Sequence, residues 1–278
     1  MKSIVQHTLL AAYAALARTG IMRQAWARRA FLAAYSGYKT WIEAGPVNRL
    51  REFVPEDSTV VDVGANVGFF TMKFALWVGE QGRVIAVEPD RENFEVLAAK
   101  VKKAGLQDRV RLHQAAAAAE TGLVRLRRNE LHPGDHRISF RPEGISVPAV
   151  TVDDLVAAAA PQSVSLVKID VQGAEMLVLK GAKRMLDQMH PALFVEVDDG
   201  ALRSFGSSAH ELVKYLRVRG YETHELVGDG PPRKLSFDRI SANLTARGYI
   251  DVLFLPADGV NPAKSEDLIS FRNSNVGH

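Results

Sequence analysis

The chain has 278 residues, a formal net charge of +3 and 47% hydrophobic residues, which is enough for one large domain with a sizeable core plus an extension. It contains no cysteine. That excludes a disulfide framework, a thiolate metal site and a cysteine nucleophile, and it fits the reducing cytoplasm expected as its location.

Residues 1–51 hold eight basic side chains against the single acid Glu43, a net +7 that leaves the remainder at −4. Such a basic arm is either a solvated helix face or a contact for anionic lipid, nucleic acid or a phosphorylated carrier. Within it, residues 4–17 form an apolar run interrupted by Gln6 and His7. The run is short for a membrane span and weakly flanked for a secretion signal, so a packed or interfacial helix is expected. Residues 21–35 continue in helical style, and 35–41 are polar-aromatic, either a pocket mouth or a corner of the core. The expected division is an N-terminal helical extension over 1–45, a main domain over 46–256 and a loose tail over 257–278.

The main domain opens with a helix over 47–53. Val60, Val61 and Val63 then surround Asp62 and read as a short buried strand. Gly64 and Gly68 break it, and 71–77 has helical character, so a strand, a glycine turn and a helix begin a doubly wound α/β domain. Residues 83–88 read as the next strand, ending in Glu88. This acid lies about twenty residues beyond Gly68, the spacing that sets a carboxylate on ribose hydroxyls. The loop is G-x-N-x-G rather than G-x-G-x-x-G. Asp62 in front of it repels a pyrophosphate and attracts an ammonium group.

A helix runs from 89–93 to Ala104 and stops at Gly105. Strands follow at 110–115, 123–128 and 146–151, the middle one alternating like an exposed antiparallel strand. The alanine run at 115–119 is either a small-residue floor for an adenine ring or a turn, and 131–138 is a loop dense in ionisable groups. A helix opens at 152–155. Residues 165–170 form a buried strand with Asp170 near its end, followed by an amphipathic helix through Leu186. The strand over 191–198 ends in Glu196 and Asp198. A helix over 207–219 and late strands over 221–226 and 249–255 complete the order. The count is about seven strands, mostly parallel, with a late antiparallel one. Asp62, Glu88, Asp170 and Glu196 are expected to face one crevice at the strand ends.

The Asp62-x-Gly64-x-Asn66-x-Gly68 form resembles the first motif of S-adenosylmethionine-dependent methyltransferases. With Glu88-Pro89, Gly134-Asp135-His136-Arg137, the Lys168-Ile169-Asp170-Val171-Gln172-Gly173-Ala174-Glu175 block and the Glu196 strand, the chain resembles the FkbM family of O-methyltransferases over roughly residues 40–255. The resemblance implies a Rossmann-like class I methyltransferase fold. It implies S-adenosylmethionine as cofactor and S-adenosylhomocysteine as product. It also implies an acceptor hydroxyl on a sugar, glycolipid or natural product. The expected cofactor contacts are Asp62, Gly64, Ala65, Asn66, Gly68, Phe69, Glu88, Pro89, Asn93 and Ala115, with Asp62 serving the amino-acid end. The alanine run stands where many methyltransferases place an acid near the adenine, with Glu120 close by.

A protonated hydroxyl is a poor nucleophile, so a base or a metal must assist. His136, Asp135, Asp170 and Glu196 are the candidates. Three readings stay open: His136 as base oriented by a carboxylate without metal; Asp170 and Glu175 as mere caps of the following helix; or Mg²⁺ on Asp170 and Glu196, with Asp135 or His136 adding a ligand. Competing functions are an RNA methyltransferase using the basic arm, a non-catalytic cofactor-binding scaffold touching membrane through its first helix, and, more distantly, an NAD oxidoreductase. No RNA-binding module is recognisable, and no specific nucleic-acid partner is expected. The oligomeric state is left open.

Overall fold

The computed structural model describes residues 24, 47–127, 137–139, 144–228 and 230–257. The expected N-terminal extension and its membrane contact, the tail beyond 257, and the candidates Asp135 and His136 lie outside these residues. A 3₁₀ turn over Arg49–Phe53 leads into β1 (Thr59–Val63), α1 (Phe69–Trp77), β2 (Arg83–Val87), α2 (Arg91–Lys103) and β3 (Val110–His113). Then come the short strands β4 (Ala116–Ala117), β5 (Gly122–Arg127), β6 (Arg137–Ser139) and β7 (Ile145–Val150), followed by α3 (Val152–Ala159) and β8 (Val164–Ile169). The remainder is α4 (Glu175–Lys180), α5 (Lys183–Met189), β9 (Ala192–Asp198), α6 (Asp199–Ser204), α7 (Ala209–Arg217), β10 (Tyr221–Glu225), β11 (Arg233–Lys234), α8 (Phe237–Arg247) and β12 (Tyr249–Pro256).

β1 and β8 are buried at every position, as unbroken β-branched runs require when helices cover both faces of a sheet. Their side chains alternate between two cores. Val61, Val63, Val167 and Ile169 belong to one, and Val60 and Leu166 to the other with Phe74 and Val84. The main sheet has the order β11-β10-β12-β9-β8-β1-β2-β3. β3, β2, β1, β8 and β9 run parallel, and β12 lies antiparallel between β9 and β10. The chain leaves β1 toward β2 on one side and returns to β8 on the other, so the order reverses at β1. A ligand crevice belongs at this switch point, outside the carboxyl ends of the strands.

The expected class of fold is the one found, with two corrections to the strand count. The main sheet has eight strands, because the two-residue β11 adds an edge beside β10. The expected strands over 123–128 and 146–151 belong instead to a second sheet of order β4-β7-β5-β6. There Leu126 points inward while Leu123, Arg125 and Arg127 face solvent. The single helix expected through Leu186 is two. Asp153 explains the break: its carboxylate accepts from the Arg184 and Met185 N–H groups at 2.9 Å each and so caps α5 from α3. The helix from 91 has its cap on Asp90, whose side chain accepts from Glu92 and Asn93 N–H, an arrangement worth about 1 kcal/mol.

Candidate functional site

The carboxyl ends of β2, β1 and β8 open onto a cleft. Its polar wall is Asn66, Glu88, Asn93, Asp170 and Gln172. Its apolar wall includes Val87, Ala116, Ala117, Leu126 and Val171, and Gly64 and Pro89 complete it.

The glycine loop is held from beneath. Gly64 has φ +75°, and a Cβ there would stand 1.8 Å from the Asp170 carbonyl oxygen. Only glycine lets the end of β8 pass so close. The Asn66 side-chain oxygen accepts from the Val67 N–H at 2.7 Å. Lys100 Nζ donates to the Val67 carbonyl, and Lys168 Nζ to the Gly64 carbonyl, each at 2.8 Å. Two lysines, one from α2 and one from β8, therefore fix the backbone of the loop.

Glu88 is 4% exposed. Its Oε2 accepts from the Asn66 N–H at 2.8 Å and its Oε1 from the Asp90 N–H at 2.9 Å. Burial pushes its pKa up to about 7, against the lowering effect of those two N–H groups. Glu175 repeats the arrangement behind the cleft. It is 2% exposed, its Oε1 accepts from Val171 and Gly173 N–H at 3.2 and 3.0 Å, and burial pushes it up to about 7 as well.

Asp62 is fully buried. The Thr71 hydroxyl donates to its Oδ2 at 2.6 Å, and Lys168 Nζ stands 3.6 Å from its Oδ1. Burial raises its pKa, opposed by the Lys168 charge and the Thr71 bond. The same ammonium lies 3.6 Å from Asp170 Oδ2 and 5.2 Å from the centre of the Phe70 ring. Gln172 joins the ends of β8 and β9: its Nε2 donates to Asp170 Oδ1 at 2.9 Å and to Glu196 Oε1 at 3.0 Å.

Of the expected crevice carboxylates, Glu88 and Asp170 line the cleft and Glu196 reaches its edge through Gln172. Asp62 does not line it: its carboxylate is fully buried. Among the expected cofactor contacts, Gly64, Asn66, Pro89 and Asn93 are in the wall. Ala65, Gly68, Phe69 and Ala115 are not among the residues that line the cleft. Ala65 and Ala115 are core residues, Phe69 packs edge-on against Phe70, and the α-carbon of Gly68 faces Leu97. Val87, Leu126, Val171 and Gln172 were not foreseen as wall residues, whereas Ala116 and Ala117 belong to the alanine run that one of the two readings made a floor for an adenine ring. Among the described residues no group of three or more His, Asp or Glu is placed to hold a metal ion, and no helix is long and apolar enough to cross a membrane.

The methyltransferase FkbM domain matches residues 62–223, more than half of the chain. No curated protein matches. Among solved structures, the methyltransferase FkbM from Methylobacillus flagellatus KT is similar at 20% identity and TM-score 0.46 over 87% of this chain. This chain spans 60% of that one. A putative rRNA methylase from Clostridium thermocellum shares 14% identity at TM-score 0.45, over 75% of this chain and 92% of the other. The O-methyltransferase TomG from Streptomyces achromogenes shares 12% at TM-score 0.43, over 77% and 80%. The assignment rests on the domain match: the chain belongs to the FkbM family of S-adenosylmethionine-dependent methyltransferases.

Proposed function

We propose that the cleft holds S-adenosylmethionine and that the chain methylates a hydroxyl of a sugar, glycolipid or natural-product acceptor. The wall suits this cofactor on its own features. Glu88 presents a buried carboxylate for the ribose hydroxyls, flanked by Asn66, Pro89 and Asn93. Ala116 and Ala117 leave room for a planar ring. When bound, the cofactor supplies an electrophilic methyl group on a sulfonium sulfur. The task left to the chain is to hold an acceptor oxygen in line and to take its proton.

The observation that carries the hydroxyl reading is the Gln172 clamp. It joins two carboxylates, Asp170 in the cleft wall and Glu196 at the end of β9, through one amide. Carboxylates accept hydrogen bonds from hydroxyls, and one within reach takes the proton as the new bond forms. Asp135 and His136 remain candidates for the same role. The proposal is metal-free, because the Gln172 amide nitrogen already sits between the two carboxylates that would hold Mg²⁺.

The test gives the purified chain S-adenosylmethionine labelled in the methyl group, with glycosides, glycolipids and polyketide alcohols as acceptors, with and without EDTA. The expected result is alkali-stable label on a hydroxyl, insensitive to EDTA and lowered about 100-fold in Glu196→Gln. Label on RNA, or an alkali-labile ester, would overturn the reading.

A further inference from the structure

One face of the second sheet takes no part in the proposed reaction. Its strands carry Arg125, Arg127 and Arg137 and no acid, although the chain beyond residue 51 is net −4. Along β5 the side chains alternate. Leu126 is buried and lines the cleft, whereas Leu123, Arg125 and Arg127 are exposed on the opposite face. The register sets Pro148 opposite Leu123, Ser146 opposite Arg125 and Arg137 opposite Arg127. The outward face is therefore basic at one end and apolar at the other.

Two features set it apart from a merely solvated face. Like charges at opposed positions destabilise a strand pair, and among the described residues no acid pairs with Arg127. Arg125 donates to the Gly144 carbonyl at 3.3 Å. Asp154 accepts from the Thr121 hydroxyl just ahead of β5 but stands 3.6 Å from Arg184. At the other end Leu123 is 76% exposed, and Pro148 beside it is exposed as well. A sheet that keeps an opposed pair of charges and an uncovered leucine on one surface gives up stability for contact with something both anionic and apolar.

A lipid surface has that chemistry. An arginine near an anionic headgroup layer gains about a fivefold preference for it, and an apolar side chain beside it enters the acyl boundary. RNA calls for aromatic rings on which bases stack, and these strands hold none.

We propose that the outward face of the β4-β7-β5-β6 sheet docks the chain on an anionic lipid surface, with Arg125 and Arg127 meeting phosphates and Leu123 the acyl boundary. Because Leu126 lines the cleft from the opposite face of this sheet, docking holds the cleft beside the headgroups. It does not depend on which hydroxyl is methylated.

Co-sedimentation of the full chain with vesicles tests the docking, using phosphatidylcholine alone and phosphatidylcholine with about one-quarter phosphatidylglycerol. The wild-type chain is expected to bind only the anionic vesicles, and less tightly as salt is raised. Arg125→Gln combined with Arg127→Gln is expected to lower that affinity about 25-fold, and Leu123→Ser about threefold. S-adenosylhomocysteine affinity is expected to hold within about twofold in both. The thermal midpoint of the double variant is expected to stay level or rise, since the opposition to Arg137 is gone. Arg217→Gln combined with Arg247→Gln removes the same charge from exposed sites on α7 and α8, and is expected to keep vesicle binding within about threefold. No binding by the wild-type chain, equal losses in the two double variants, or a lowered midpoint in the first would overturn the inference. Tighter binding to single-stranded RNA than to the vesicles, lost in the first double variant, would overturn it too, because the face would then serve nucleic acid.

Discussion

Glu88 and Glu175 are built alike and face opposite ways. Glu88 directly follows β2 and Glu175 opens α4 after the β8 loop, and each is nearly sealed from solvent, accepts two backbone N–H groups, and is pushed by burial up to about 7. Glu88 lines the cleft. Glu175 stands behind the loop over 171–173, and its Oε2 has no hydrogen-bond partner among the described residues. The comparison teaches that a buried, loop-bonded carboxylate is not by itself a ligand site. What separates the two is which side of the loop the remaining lone pairs occupy.

Alanine at each position breaks the comparison most sharply. Both variants orphan two buried N–H groups, so each is expected to lose about 2 kcal/mol of unfolding free energy in denaturant titration. Only Glu88→Ala is expected to lose S-adenosylhomocysteine binding, by about 100-fold, because a charged acceptor for two hydroxyls goes with it. Glu175→Ala is expected to keep affinity within about tenfold, since it acts on Asp170 and Gln172 only through the loop. Equal losses of binding would place both acids in one structural role.

The pH dependence sharpens it further. A carboxyl whose pKa is raised on folding favours the protonated fold: its stabilising contribution is fully present below the unfolded value of about 4.5 and is lost as pH rises through about 7. Each shift corresponds to about 3 kcal/mol at most. Glu88→Gln and Glu175→Gln are therefore both expected to flatten the decline in thermal midpoint of the ligand-free chain between pH 5 and 8. Binding separates them. Ribose hydroxyls favour the ionised Glu88, so wild-type affinity is expected to rise with pH up to about 7 and then level off, with protons released on binding. Glu88→Gln abolishes that dependence and Glu175→Gln keeps it. Calorimetry in buffers of different ionisation enthalpy counts the protons.

The same contrast marks what the sequence could disclose. β1, β2 and β8 were legible because a run of β-branched residues ending in an acid and a glycine has few other solutions in an α/β sheet. The acids at their ends were legible for the same reason. The orientation of those acids was not. Asp62 and Asp170 look equivalent along the chain, yet Asp62 is fully buried while Asp170 lines the cleft, with Lys168 Nζ 3.6 Å from each. Gln172 escaped notice as a wall residue because its role depends on Glu196, brought beside it by β9. α8 escaped because its apolar stripe is thin: Phe237, Ile240 and Leu244 recur at helical spacing, and only Ile240 is fully buried. α6 is a single short turn of chain held by the Asp198 cap, whose Oδ1 accepts from the Ala201 N–H at 2.9 Å.

The smallest effect concerns the second lysine beneath the loop. Lys100 reaches from α2 to the Val67 carbonyl at 2.8 Å, and burial lowers its pKa. Lys168 grips the same loop at Gly64 but is also tied to Asp62 and Asp170. Because Lys100 holds the loop from a half-buried position on α2, Lys100→Met is expected to lower stability by about 1 kcal/mol and cofactor-product affinity by no more than about threefold. A loss as large as that of Glu88→Ala would mean that the loop is positioned mainly from α2, and the contrast between a ligand-facing and a loop-facing acid would then owe more to the helix than to the strand ends.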